Sequence, residues 1–385
     1  MNRIVVDEIT LPLSIQHDIE ALKSYHRGEL KAPEDCLWGE LYGSINGSQH
    51  GGEISKETAD FLRAKYLGFG SEEEYFFNNN ALGNKMSERI DFSHCQRNLR
   101  TYDGANGSKI GIIYEGENYM LKFPSGLKGL AKGSYSNSCI SEYIGCHIFE
   151  SLGFETQKTL LGKFEDKTVV ACKDFAINGY NFADFASLKN TVINSENNGY
   201  GTELDDILAT FEEQIQFEIS PEELKKFFWE MFIVDAFLGN FDRHNGNWGF
   251  LVNERTNTAK IAPIFDCGSC LFPRITTDEG FKEALSDKKA INDRLYVYPN
   301  SAIKIDNVKI NSYSFLSQTD NEECLKALVY ITEKIDIEAI NKIINETLYI
   351  SDLHKEFLIF TILARKENIL EKAVSINKNI SYIKK

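Results

Sequence analysis

No stretch of this chain approaches the ~20 apolar residues that a helix needs to cross a bilayer, so no membrane span is expected. The opening Met1-Asn2-Arg3-Ile4-Val5-Val6-Asp7-Glu8 carries acids where a secretory leader carries an apolar core. The cytoplasm is the expected location; secretion or translocation as an effector would have to proceed without a recognisable signal peptide. Positive charge is scarce, 42 Lys and Arg against 57 Asp and Glu, and the net charge is −15. That field repels bare nucleic acid, and no Lys/Arg run is long enough to override it, so direct nucleic-acid binding is not expected. The eight cysteines show no disulfide-framework spacing, which points to a reducing compartment. Cys267-Gly268-Ser269-Cys270 is a lone CxxC without the second pair or histidines of a zinc site, and reads as two small thiols lining a packed turn. Gly-Lys-Ser/Thr is absent, which excludes a Walker A loop, and no internal repeat is apparent.

What is present is a 385-residue chain, 42% hydrophobic and 26% charged, enough for one large domain or two with a substantial core. Residues 1–88 form an extension of unknown role. In it 55–66 reads as a helix capped by Ser55, the run 43–52 reads as a Gly-rich loop, and 78–84 reads as an Asn-rich linker. No chemical constellation is visible there. From 89 to 176 the texture changes to a hairpin (110–114 and 119–123), a helix (140–152) and two strands (159–164 and 168–175). Residues 177–385 read as helical. Ser220-Pro221-Glu222-Glu223 is a strong helix start, and a late helix near 351–374 shows Leu353, Phe357, Phe360 and Ala364 at helical spacing.

The densest chemistry lies in Gly239-Asn240-Phe241-Asp242-Arg243-His244-Asn245-Gly246-Asn247, where an Asp precedes an Asn by five residues. Asp266-Cys267-Gly268-Ser269 follows downstream. This order resembles the catalytic loop and metal-binding Asp of protein kinases. Alone, Asp242 would pass for a helix-terminal cap, Asn247 for a turn residue and Asp266 for a loop Asp. In register they read as a base that orients an incoming hydroxyl (Asp242) and oxygen ligands for magnesium (Asn247 and Asp266). Lys122 ends an apolar strand and needs an anionic partner, for which nucleotide phosphates and Glu142 are the candidates. Dipole compensation at a helix start is the other reading of Glu142. Gly104-Ala105-Asn106-Gly107-Ser108 lies just before the hairpin, where glycines let amides approach phosphate. Lys173-Asp174-Phe175, at a strand end, stands where a hinge would meet adenine. Arg243 reads as a brace for Asp242, a phosphate ligand or a structural ion pair.

Ile90-Asp91-Phe92, Gly104-Ala105-Asn106-Gly107, Tyr119-Met120-Leu121-Lys122-Phe123-Pro124, Ser141-Glu142-Tyr143, Val170-Ala171-Cys172-Lys173-Asp174-Phe175, residues 239–249 and 262–273 together resemble the HipA-type serine/threonine kinases, and especially their CtkA-like branch. The resemblance runs over residues 90 to 380. It implies an α+β, bilobal protein-kinase-like fold with a β-rich N-lobe (89–176) and an all-helical C-lobe (177–385), with ATP and Mg2+ as cofactors. It implies phosphorylation of protein Ser/Thr, autophosphorylation included, in a toxin module or as an effector. It carries over Asp242 as catalytic base, Asn247 and Asp266 as metal ligands, Lys122 as the ATP lysine, His244 as a nucleotide-site residue and Lys173 to Phe175 as the hinge. Thr101 and Ser108 are the hydroxyls nearest to the family's autophosphorylated loop. The stretch 125–139 reads as a flap over the site. An antitoxin or other regulatory partner is a candidate, but residues 1–88 do not look like the N-terminal subdomain of full-length HipA toxins, so no partner surface is carried over. Two other readings stay open: a kinase of a lipid or small molecule, and a nucleotide-binding pseudokinase that regulates a partner.

Overall fold

The computed structural model describes residues 6, 8–69, 89–100, 109–124, 136–193 and 198–383, with side chains through Asn377. The readings for the 78–84 linker, for Thr101, for Gly104 to Ser108 and for most of the 125–139 stretch lie outside the described residues; Ser138 and Cys139 open a helix.

Three helices come first: α1 (Leu13–His26), α2 (Glu34–His50) and α3 (Lys56–Leu62), the last capped as expected by Ser55, whose hydroxyl accepts from Thr58 N–H. Of the expected loop at 43–52, residues 43–50 are instead the largely buried second half of α2, and only Gly51 and Gly52 form a turn. Glycine lowers intrinsic helix propensity, but here tertiary contact overrides it. A Cβ on Gly43 would lie 2.8 Å from the carbonyl oxygen of Phe241, and one on Gly39 would lie 3.2 Å from the Phe241 ring. The glycines let α2 lie directly on the loop that carries Asp242. Phe241 itself belongs to the small core of this unit, with Leu37, Trp38, Leu41 and Tyr42.

A six-stranded sheet follows, in the order β1-β5-β6-β4-β3-β2. Its strands are β1 (Ile90–Asp91), β2 (Gln96–Arg97), β3 (Lys109–Tyr114), β4 (Glu117–Lys122), β5 (Thr159–Phe164) and β6 (Lys167–Lys173). All pairings are antiparallel except β1 with β5. Helix α4 (Ser138–Ser151) packs against β5 and β6 and presents Glu142 toward the end of β4.

The remainder is mainly helical. It begins with β7 (Asn181–Asp184), α5 (Phe185–Val192), α6 (Leu204–Glu213) and α7 (Pro221–Leu238). Ser220 caps α7 and Pro221 opens it, as the sequence indicates. Helix α7 starts with exposed charges, but from Met231 to Leu238 it is buried on all sides and lies in the core. It stops at Gly239, which takes a left-handed φ of +66° and turns the chain into residues 240–248. Strands β8 (Gly249–Asn253) and β9 (Thr258–Ile261) complete a three-stranded sheet with β7. After α8 (Asp278–Ser286) and α9 (Lys288–Tyr296) comes a hairpin of β10 (Asn300–Ile305) and β11 (Val308–Asn311). Helices α10 (Ser312–Gln318), α11 (Glu322–Lys334), α12 (Ile337–Glu346), α13 (Asp352–Arg365) and α14 (Lys372–Ile383) close the fold. The lobe expected to be all helical therefore also holds a small sheet and a hairpin. Both have local work: β7-β8-β9 frames residues 240–248, and β10-β11 supplies Lys309 to the N-terminal helices. Lys309 Nζ is buried and donates to Glu40 O (2.8 Å), with the Glu40 and Asp18 carboxylates at 3.3 and 3.6 Å. No helix among the described residues is long and apolar enough to cross a membrane.

Gly43→Ala should force α2 off residues 240–248, because its methyl group meets backbone that cannot swing away. We expect a loss of about 1–3 kcal/mol in denaturant unfolding; an unchanged midpoint would mean that α2 does not approach Phe241 so closely.

Candidate active site

A cleft of about 110 Å³ lies between the sheet and the helical lobe. It gathers Lys122, Glu142, Asp242, His244, Asn247 and Asp266 from four separate stretches of chain. Lys122 Nζ sits 3.1 Å from Glu142 Oε2 and 2.9 Å from Asp266 Oδ1. Glu142 Oε1 also accepts from Asp266 N–H at 3.0 Å. Asp266 holds a left-handed φ of +56°, uncommon for a residue with a side chain, so its pose is imposed by these partners. Glu142 thus does more than compensate a helix dipole.

The two aspartates have opposite electrostatics. Burial works against ionisation of Asp266, but Lys122 and then Lys109 outweigh it and hold its carboxyl well below the usual range. Burial likewise opposes the charge on Lys122, yet Asp266 and Glu142 keep it firmly protonated. Asp242 faces no such cation at close range. Burial, then the negative charge of Asp266, push it up to about 8. Its Oδ2 accepts from Asn46 Nδ2 at 3.1 Å, while its Oδ1 is buried with no partner.

Residues 240–248 are held from within. Asn247 Nδ2 donates to Asp242 O (2.8 Å), which leaves the Asn247 side-chain oxygen available to a cation. Arg243 is buried and does not line the cleft. It donates to both carboxylate oxygens of Asp235 on α7 (2.9 and 3.2 Å), to Asn247 O (2.9 Å), to Phe265 O (2.5 Å) and to Cys267 Sγ (3.5 Å). Of the three sequence readings for Arg243, the structural ion pair is the one its contacts match, and it braces residues 240–248 through Asn247 O and Phe265 O rather than through the Asp242 side chain. Cys267 and Cys270 are fully buried in the turn after Asp266, and no metal-holding cluster occurs among the described residues.

Lys173, Asp174 and Phe175 do not line this cleft. The N–H groups of Lys173 and Asp174 donate to Lys158 O and Asn118 O, Asp174 pairs with Arg100, and the Phe175 ring packs on Phe182 and Phe265. Residues that sequence reasoning missed also line the cleft: Lys109, Tyr42, Asn46 and His50. Lys109 was detectable, because hairpin register sets it opposite Lys122. The α2 residues carry no local signal. His50 stacks on His244 with ring centroids 4.3 Å apart. His50 Nδ1 donates to Asn46 O, and His244 Nδ1 accepts from Gly246 N–H. The two rings therefore carry their protons on different nitrogens. Burial, then the neighbouring His50, keeps His244 neutral.

A strand-borne lysine paired with a helix glutamate, and facing two loop acids across two lobes, defines a bilobal protein-kinase-like fold. The HipA-like C-terminal domain profile matches residues 103–346, and the chain belongs to that family. It is 48% identical over 286 residues to the serine/threonine-protein kinase CtkA of Helicobacter pylori, an alignment covering 74% of this chain and 87% of that protein. The crystal structure of a Helicobacter pylori proinflammatory kinase CtkA superposes with a TM-score of 0.69 at 46% identity, over 75% of this chain and 98% of that one. A HipA structure from a Shewanella oneidensis toxin–antitoxin complex with HipB and operator DNA gives a TM-score of 0.46 at 13% identity, over 84% and 73% of the two chains.

Arg243→Lys retains charge but cannot span Asp235, Asn247 O and Phe265 O together. It should cost about 3 kcal/mol or more in unfolding free energy, as expected for a broken buried pair. A denaturation curve like that of the unsubstituted protein would refute the brace.

Proposed function

We propose that this cleft binds ATP with Mg2+ and that Asp242 orients a protein hydroxyl for attack on the γ-phosphoryl group. The enzyme is a serine/threonine protein kinase. The observation that carries the site assignment is the buried, unpartnered Oδ1 of Asp242, an acceptor without a donor at the floor of the cleft. On this reading residues 89–176 cover the nucleotide and residues 177–385 carry the base and the metal ligands.

The donor set supports the cofactors. Asn247 and Asp266 offer hard oxygen ligands and too few of them for an all-protein cage, which suits an ion shared with nucleotide phosphates. Bound there, magnesium would neutralise charge developing on the transferred group. Lys122, with Lys109 opposite it in the hairpin, supplies further positive charge at the same mouth. Glu142 fixes Lys122 and, through the Asp266 N–H, the carboxylate beside it. Asp242 accepts the hydrogen bond of the incoming hydroxyl, and its held orientation removes the need to order it at the moment of transfer. The neutral His244 ring closes one side against α2. Autophosphorylation at Thr101 or Ser108 and a regulatory partner such as an antitoxin belong to the same reading. Eight free thiols support a reducing, cytoplasmic setting. The unpartnered oxygen also speaks against a pseudokinase, which has no use for a prepared base.

The test is incubation of purified protein with labelled ATP, magnesium and a generic protein acceptor. Asp242→Asn should abolish label transfer and leave nucleotide binding intact. Asp266→Asn should weaken magnesium-dependent nucleotide binding as well. Near-normal turnover in Asp242→Asn would sink the assignment of the base.

A pH profile follows from the raised Asp242. The base acts ionised, so rate should rise with pH through its pKa. A value of about 8 without a cation beside it sets the acid limb of kcat/KM far above the ordinary carboxylate range. A bound cation beside Asp266 offsets the charge that helps raise it, so the limb should move to lower pH as magnesium is increased. A profile flat down to pH values of about 5 at limiting magnesium would contradict this.

A further inference from the structure

The N-terminal helices place a side chain on the proposed base itself. Asn46, on α2, donates from Nδ2 to Asp242 Oδ2 at 3.1 Å. An amide can present either end, and here Arg63 decides which. Arg63 Nη2 and Nε donate to Asn46 Oδ1 at 2.6 and 3.2 Å. With its oxygen held by a guanidinium, Asn46 can offer Asp242 only its NH2 group. Arg63 is fixed in turn by Gln49 Oε1 (2.6 Å) and Asp60 Oδ1 (3.1 Å). Asn46 is 1% exposed, Arg63 2% and Asp242 8%, so solvent does not compete for these bonds.

The backbone is arranged for this contact. One helical turn before Asn46, Gly43 allows α2 to meet the carbonyl of Phe241, the residue preceding Asp242. One turn after it, His50 stacks on His244. Three successive turns of α2 therefore touch Phe241, Asp242 and His244 in step.

We infer that Asn46, oriented by Arg63, is a positioning residue for phosphoryl transfer, and that the N-terminal helical unit is thereby part of the catalytic apparatus. By holding Oδ2, Asn46 fixes the carboxylate rotation and leaves Oδ1 as the oxygen that meets the acceptor hydroxyl. Its side-chain hydrogen bonds go to Asp242 and Arg63 and to neither Asn247 nor Asp266, so its effect falls on turnover and not on ATP affinity. The inference rests on Asp242 being the base.

The experiment uses the full chain with two substitutions of opposite side effects. Asn46→Ala removes the donor and some volume without adding charge. Asn46→Asp keeps the volume and a partner for Arg63, and removes the donor. For both, kcat should fall roughly 10- to 100-fold, as for a slightly misplaced catalytic group. The KM for ATP and the nucleotide Kd should stay within about twofold of the unsubstituted protein, a change of less than about half a kcal/mol. Arg63→Gln, which frees the amide to rotate, should give an intermediate loss. Thermal unfolding identifies any variant that does not fold; Asn46→Asp, with its carboxylate against Arg63, decides the matter if Asn46→Ala is lost. Wild-type kcat in either folded Asn46 variant overturns the inference, as does a loss that appears wholly in ATP affinity. Asp242→Asn runs alongside. If it is inactive while both Asn46 variants turn over normally, the positioning role fails and the base stands. If Asp242→Asn is itself active, the base assignment fails first.

Discussion

One buried guanidinium sets the distances on which the cleft depends. Arg243 reaches the α7 carboxylate of Asp235, the carbonyl of Asn247 and the carbonyl of Phe265, which immediately precedes Asp266. Asp235 lies in the half of α7 that is buried on all sides, so whatever is tied to it inherits the rigidity of the core. Asn240 uses the same anchor through Asp235 Oδ1 at 2.8 Å. An unpaired charge at this depth would be very costly, and a paired one with its donors used is stable only in a single geometry. The stretch bearing Asp242 and Asn247 and the stretch bearing Asp266 are therefore fixed relative to each other before any ligand arrives.

From Asp266 the constraint crosses to the other lobe. Its carboxylate binds Lys122 at the end of β4, and its N–H binds Glu142 on α4. A left-handed backbone at a residue with a Cβ persists only when its surroundings over-determine it. Here a glutamate on one side and Arg243, through Phe265, on the other do so. The same charges separate the two aspartates: cations hold Asp266 ionised, whereas Asp242, buried and facing Asp266, keeps a proton more readily. Two like groups in unlike environments can serve as a metal ligand and a base.

The parts of this arrangement legible in the sequence were those whose cost shows locally. A lysine closing an apolar strand, a glutamate near a helix start and an acid after a strand each need a partner, and Lys122, Glu142 and Asp266 find one another. Ser220-Pro221 and Ser55 announced their helices by capping chemistry alone. Helix α2 was illegible for the opposite reason. Its glycines resemble a loop because propensity is local, whereas what they satisfy is the approach of Phe241, far along the chain. Asn46 and His50 are ordinary polar residues until Asp242 and His244 stand beside them. Lys173 to Phe175 were read as a hinge from position alone; in the structure the amides of Lys173 and Asp174 are used within the lobe and these residues do not line the cleft.

Phe241 shows how closely the two halves of the chain are joined. It precedes Asp242, yet its ring belongs to the core of the N-terminal helices and meets Tyr42 edge-on at 6.1 Å. An appended unit would touch its neighbour through polar, peripheral contacts. This one shares an aromatic side chain with residues 240–248, and Lys309, also beside Gly43, ties it down with Glu40 and Asp18 in a buried ion cluster. The family profile begins at residue 103, after these helices. The shared domain is thus recognisable without them, but in this chain the surroundings of Asp242 are not complete without them. A substitution in α2 therefore acts on the neighbourhood of Asp242 as directly as one in residues 240–248.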